Sequence, residues 1–140
     1  MILFLASCSI FVSSCKDDDD DHDHDHDHNA TFVYHAHIMS PDTTDKNVGD
    51  EVSLHVVFEE HNMETVHHVN FRIYEDGNES NEIYNGPSDA HVHMTEKFEL
   101  KDIITLDVDP HSDWIMEAKV WGETAGDHEV IETKKFHVHP

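Results

Sequence analysis

Histidine is the residue type in this chain whose number and spacing point to chemistry. Sixteen of the 140 residues are His, and three pairs have the form His-x-His: His35/His37, His91/His93 and His137/His139. Alternate residues of a β-strand point to one face, about 6.5–7 Å apart along it. Two imidazoles so placed can converge on one ion at about 2.0–2.1 Å from each nitrogen. Neighbouring residues face opposite sides and cannot.

The residues around each pair set its direction. Phe32, Tyr34, Ala36 and Ile38 share one parity, as do Val52, Leu54, Val56 and Phe58, and then Val92, Met94, Phe98 and Leu100. The even positions of 31–39, 51–59 and 90–100 should therefore face a core, turning His35, His37, His55, His91 and His93 outward. Phe136 and Val138 likewise turn His137 and His139 outward. If those three stretches are neighbours in one sheet with 51–59 in the middle, five histidines share a solvent face, with strands about 5 Å apart. If the first strand pairs with the last at the sandwich edge, His35/His37 come beside His137/His139. Either arrangement gives a three- or four-coordinate site for copper or zinc, with nickel a further candidate. Met39 adds a thioether of the right parity for copper(I).

The other histidines carry less. His61, His111 and His128 stand alone and read as surface residues. His67 and His68 point to opposite faces, so at most one joins a site. Glu59, Glu60 and Asp89 are candidates to accept the second N–H of an imidazole. No Ser-His-Asp or Cys-His arrangement can be argued, so an enzyme is not expected. Two alternatives to metal binding stand: a surface interaction or adhesion module with incidental histidines, for which Trp121 is the obvious outward aromatic, and a pH sensor, since crowded imidazoles repel once protonated near about pH 6.

The elements that position these residues follow a period of two. Seven short strands are predicted, at 31–39, 51–59, 66–75, 82–85, 90–100, 113–121 and 129–139. Turn residues punctuate them at Gly49-Asp50, Asp76-Gly77-Asn78, Asn85-Gly86-Pro87 and Ala125-Gly126-Asp127. The pattern predicts an all-β, immunoglobulin or fibronectin type III-like two-sheet β-sandwich over 30–140, with no helix of useful length. Residues 114–122 with the following Gly-containing turn resemble the sixth strand and closing hairpin of such domains. Neither cysteine falls in this region, so the sandwich is of the disulfide-free kind, and its core should suffice without a metal.

The first 29 residues differ in character. Residues 1–12 are an apolar run shorter than the roughly 20 residues that span a bilayer, and small residues precede Cys15. Val12-Ser13-Ser14-Cys15 resembles a bacterial lipobox, which implies a signal peptide over 1–14 and acylation of the Cys15 thiol. No Lys or Arg precedes the run, a departure that leaves an upstream start open. Residues 15–29 hold Lys16, five aspartates and an Asp/His alternation ending at His28. Such a tract cannot bury apolar surface and predicts a disordered acidic tether, either a loose ion reservoir or a solubilising spacer. Cys15-Lys16-Asp17-Asp18-Asp19 resembles the acidic export signal of Bacteroidota lipoproteins, which implies lipid anchoring in the outer membrane, facing the cell surface. The formal net charge of −23 argues against nucleic acid as a partner and favours cations.

Residues 50–58, Ala90-His91-Val92-His93, residues 109–122 and Phe136-His137-Val138-His139-Pro140 together resemble a group of small His-rich lipoproteins of Bacteroidota. That group carries an immunoglobulin-like domain of unknown function. The resemblance spans most of 30–140 and implies the fold and an envelope location, without an established activity. Phe136-His137-Val138-His139 is also similar to a copper-ligand strand of copper–zinc superoxide dismutase. The domain lacks the cysteines of that family's disulfide, and the chain's five glycines are too few for its long loops. The resulting expectation is a cell-envelope lipoprotein that binds a transition metal through His-x-His pairs for sequestration or delivery. Its partners would be metal ions, the outer membrane through the lipid, and an envelope metal transporter or receptor.

Overall fold

The computed structural model describes residues 32–62 and 64–140, without the side chains of Met94 and Thr95. The expected signal peptide, Cys15 and the acidic tether lie outside the described residues. Nine strands follow in chain order: β1 (Tyr34–Ser40), β2 (Lys46–Asn47), β3 (Glu51–Glu60), β4 (Thr65–Glu75), β5 (Asn78–Gly86), β6 (His91–Thr95), β7 (Lys97–Thr105), β8 (Ser112–Trp121) and β9 (Val130–His139). There is no helix among the described residues. One sheet has the order β1-β3-β7; the other runs β2-β9-β8-β4-β5, with β6 also pairing β4. The chain is an immunoglobulin-like β-sandwich, as its alternation predicts.

Alternation builds the core directly. Along β8, Ser112, Trp114, Met116, Ala118 and Val120 are buried while the residues between them are not. They face Tyr34, Ala36, Ile38, Val52, Leu54, Val56, Phe58 and Leu100 of the smaller sheet. Trp114 anchors this core, and its indole N–H donates to Ser112 Oγ at 2.8 Å, so the ring is buried with its polar atom satisfied. No buried side-chain nitrogen or oxygen among the described residues lacks a partner. Glu60 shows how: 2 % exposed, its carboxylate accepts the backbone N–H groups of Val33 (3.0 Å), Asn62 (2.8 Å) and Glu64 (2.8 Å).

Three features depart from the sequence expectation. The stretch 90–100, read as one strand, is two. The chain turns at Glu96, whose φ is 64°; β6 stays with the larger sheet on β4, and β7 crosses to β3. Strands that change sheets are a recognised way of making a sandwich corner. Val92, Met94, Phe98 and Leu100 share one parity on both sides of this corner, and its one mark in the pattern is the charged residue Glu96 at an even position. His91 and His93 therefore do not share the face of His35, His37 and His55, although the expected neighbours β1, β3 and β7 do form one sheet with β3 central.

The second departure concerns the sandwich edge. β9 pairs in parallel with the two-residue β2, not with β1. β1 instead meets β9 through side chains: Glu132 Oε2 accepts Ile38 N–H at 3.0 Å, and Lys134 Nζ donates to Ile38 O at 2.6 Å. His35/His37 consequently do not come beside His137/His139. The third departure is the hairpin β4–β5, longer than expected, which turns at Gly77 with φ 81°, a conformation that glycine adopts without steric cost.

Candidate metal centres

His67, His91 and His93 form the first of two imidazole groups. Their ligating atoms all lie within 4.8 Å of one another. They line an open cleft of about 430 Å³ with His68 and Glu123. The local cause is a bulge in β6. Val66 pairs with Met94 and His68 with His91, so His67 alone stands opposite two residues, Val92 and His93. Within this bulge His93 adopts φ 45°, a left-handed conformation uncommon for a non-glycine residue. On β4, Val66 and Val69 are both fully buried, and His67 and His68 between them are half-buried.

The imidazoles pack closely. His67 and His93 have ring centroids 5.2 Å apart, His91 and His93 5.6 Å, and His67 and His91 6.4 Å. His68 stacks on His91 at 4.8 Å and on Trp121 at 5.3 Å. Its Nδ1 lies 2.7 Å from Gly122 O; an N–H donated there leaves Nε2 free. Burial first, then the imidazole of His93, hold His67 below the ordinary imidazole value, against an upward pull from Glu123. Trp121, the outward aromatic, is covered by His68 on one side and by Lys119 Nζ at 5.1 Å from the ring.

His111, His137 and His139 form the second group, again within 4.8 Å of one another. His137 and His139 are the outward residues closing β9, with ring centroids 4.7 Å apart. His111 sits in the turn before β8 with φ 60°, and its backbone N–H donates to Val138 O at 2.7 Å. Each strand imidazole has a carboxylate. His137 Nδ1 lies 2.8 Å from Asp113 Oδ1, and His139 Nε2 lies 3.0 Å from Asp45 Oδ2. The hydrogen bond from His137, followed by that from Lys135, holds the Asp113 carboxyl below its usual range.

A metal with nitrogens at about 2.0–2.1 Å in tetrahedral geometry wants them roughly 3.3 Å apart. The ligating atoms, within 4.8 Å of one another, must draw together to reach that spacing, and the side chains that carry them are half-buried or exposed.

The remaining sequence candidates fall elsewhere. His35 stacks with His37 at 6.0 Å and meets His61 at 4.4 Å, while His55 Nε2 lies 3.3 Å from Glu99. No three-ligand group forms there among the described residues. Of the carboxylates considered, Glu59 meets His61 at 3.2 Å, Asp89 accepts the backbone N–H of His91, and Glu60 serves the backbone. Met39 is exposed and belongs to neither group. The structure thus joins His91/His93 to His67, where the sequence left at most one of His67 and His68 to join a site, and His137/His139 to His111, which sequence reasoning read as a lone surface residue. A signal for His67 was present: the apolar spacing changes from two to three between Val66 and Val69. His111 had none, since it lies in a turn.

No family model and no curated protein matches the chain. Two solved structures do, both of the CARDB domain of a Pyrococcus furiosus protein. The solution NMR structure aligns with a TM-score of 0.53 at 16% identity, over 76% of this chain and 94% of that one. The crystal structure, described as a complex with di-metal ions, aligns with a TM-score of 0.50 at 15% identity, over 77% and 94%. At these identities the likeness is one of fold.

Proposed function

We propose that this chain is a cell-envelope lipoprotein domain that binds a transition-metal ion, copper or zinc with nickel as the next candidate, in the His67/His91/His93 cleft for sequestration or delivery. One observation carries the reading: three imidazoles from two strands converge in an open cleft, with a fourth, His68, stacked beside them. Imidazole is the donor that suits zinc, copper and nickel. Three ligands with an open position suit a metal that must leave again. A sandwich of the same fold has been crystallised with di-metal ions, which supports the reading without locating a site. The ring of Phe32 lies 6.3 Å from His67, and only Asn29, Ala30 and Thr31 separate it from the Asp/His tract. The lipobox and acidic export-signal resemblances support anchoring at the outer membrane, where an envelope metal transporter or receptor would be the partner.

The test is calorimetric titration of the full chain in detergent with Zn²⁺, Cu²⁺ and Ni²⁺. His22, His24, His26 and His28 are replaced by Gln in every sample, so the tract adds no background. Micromolar or tighter binding that H67Q/H91Q/H93Q weakens at least a hundredfold at one site is the expected result. Unchanged binding in that variant rejects the cleft.

A further inference from the structure

The end of the sandwich opposite the cleft holds the second imidazole group, and it is built for a different purpose. Along β8, His68 pairs with Trp121 and His137 with Asp113. The eight-residue separation of Asp113 and Trp121 puts the two groups about 26 Å apart at strand rise. The two groups are separate.

The cleft draws its ligands from two adjacent strands. The second group draws them from the end of the β8–β9 ladder, where Ser112 pairs with Val138 and Asp113 with His137, and from the turn before it. His111 belongs to the turn between β7 and β8, and His137 and His139 to the last turn of the ladder in β9. Asp45, against His139, belongs to the segment leading to β2, 94 residues away in sequence. β2 contributes two residues, paired in parallel to Val138 and His139. Beside that pairing, Val48 N–H donates to His139 O at 2.9 Å and Gly49 N–H to Leu106 O at 2.8 Å. So short a strand contributes little on its own.

The strand imidazoles are held by carboxylates, which fixes which nitrogen each presents and raises its basicity as a ligand. Among the described residues no carboxylate hydrogen-bonds to the cleft imidazoles, although Glu123 lines the cleft; His68 donates to a carbonyl instead. We propose that His111, His137 and His139 form a structural centre for a zinc-class divalent cation, with Asp113 and Asp45 as orienting carboxylates. The ion fastens the end of β9 to the β7–β8 turn and, through Asp45, to the β2 segment. The inference rests on the metal-binding reading for its ligand chemistry and adds a second centre in which the ion belongs to the fold and is not cargo. A cross-link between segments so distant in sequence limits local opening of this corner.

The experiment is amide hydrogen exchange of the full chain with Zn²⁺ alone as probe, in the background with His22, His24, His26 and His28 changed to Gln. Variants are H111Q, D45N and H67Q/H91Q. Zn²⁺ is expected to slow exchange at Val48, Gly49 and His111 tenfold or more in the parent and in H67Q/H91Q. H111Q is expected to lose that slowing while keeping its metal-free exchange pattern. D45N removes no ligand, so it is expected to reduce the slowing without abolishing it, and it covers the case in which H111Q fails to fold. Slowing confined to the cleft end overturns this inference and leaves the cleft reading standing. Slowing at Val48 and His111 that survives H111Q also overturns it. No zinc-dependent change anywhere overturns both.

Discussion

An imidazole ligates a metal through a lone pair for which protons compete, so the surroundings of each histidine decide its use. His67 is held below its ordinary value by burial and by the imidazole of His93, whereas His137 and His139 are held in place by carboxylates. The phenols report the same dependence on surroundings. Tyr34 is pushed up to about 12 by burial and then by Glu60, and Tyr84 to about 12 by burial and then by its hydrogen bond to Asp102. Their ordinary value is 10.0. A raised folded value means that the contribution to stability is intact below pH 10 and is lost as pH rises toward 12. Phenolate absorbance of the folded chain should therefore show little ionisation at pH 10, where the denatured chain is half ionised. Matching titrations of the two states would contradict this. Glu60 gives a second residue-scale prediction. Removing its carboxylate in Glu60→Ala leaves three backbone N–H groups without their acceptor, and the denaturant midpoint should fall by the equivalent of about 2–3 kcal/mol. A change under about 0.5 kcal/mol would show that water replaces it.

Elements determine which histidines meet. Strand parity correctly turned His91, His93, His137 and His139 outward, and the expected sandwich topology placed β1, β3 and β7 together, as observed. Parity continued across the corner did not show where the chain changes sheets. The corner's one mark is the charged Glu96 at an even position between Met94 and Phe98, and moving one strand between sheets takes two histidines to another face. The break in alternation at His67-His68 did leave a mark in the three-residue step from Val66 to Val69, since both valines are buried. Reading that step would have placed both histidines outward. His93 lies at φ 45° within the β6 bulge opposite His67, where a side chain is strained and glycine is not. His93→Gly should therefore cost about 1 kcal/mol less folding stability than His91→Gly, while both abolish tight binding at the cleft. Thermal unfolding of the metal-free variants measures the difference. Equal losses would mean that the left-handed conformation carries no strain.

At the scale of the whole molecule, the sandwich separates two centres at opposite ends of the β8–β9 ladder, about 26 Å apart at strand rise. Groups that far apart, with no shared partners, should act independently. Titration with Zn²⁺ in the Gln-substituted background should give two equivalents per chain, falling to one in H67Q/H91Q/H93Q and to one in H111Q/H137Q/H139Q, with the surviving affinity unchanged within about threefold. Coupled losses would point to a single shared centre or to a change in fold. The fold could be read from the sequence because its core is built by simple alternation. The ligand sets could only be half read, because each combines a strand pair with a third histidine brought in by a bulge or a turn.

The central claim is that a metal is held by several imidazoles in the cleft. X-ray absorption of the full chain carrying H111Q/H137Q/H139Q and the four tract substitutions, loaded with one equivalent of Zn²⁺, tests it most directly. The account predicts at least three imidazole nitrogens at about 2.0–2.1 Å, with the outer-ring scattering typical of histidine. A shell dominated by oxygen, with one imidazole or none, would contradict it.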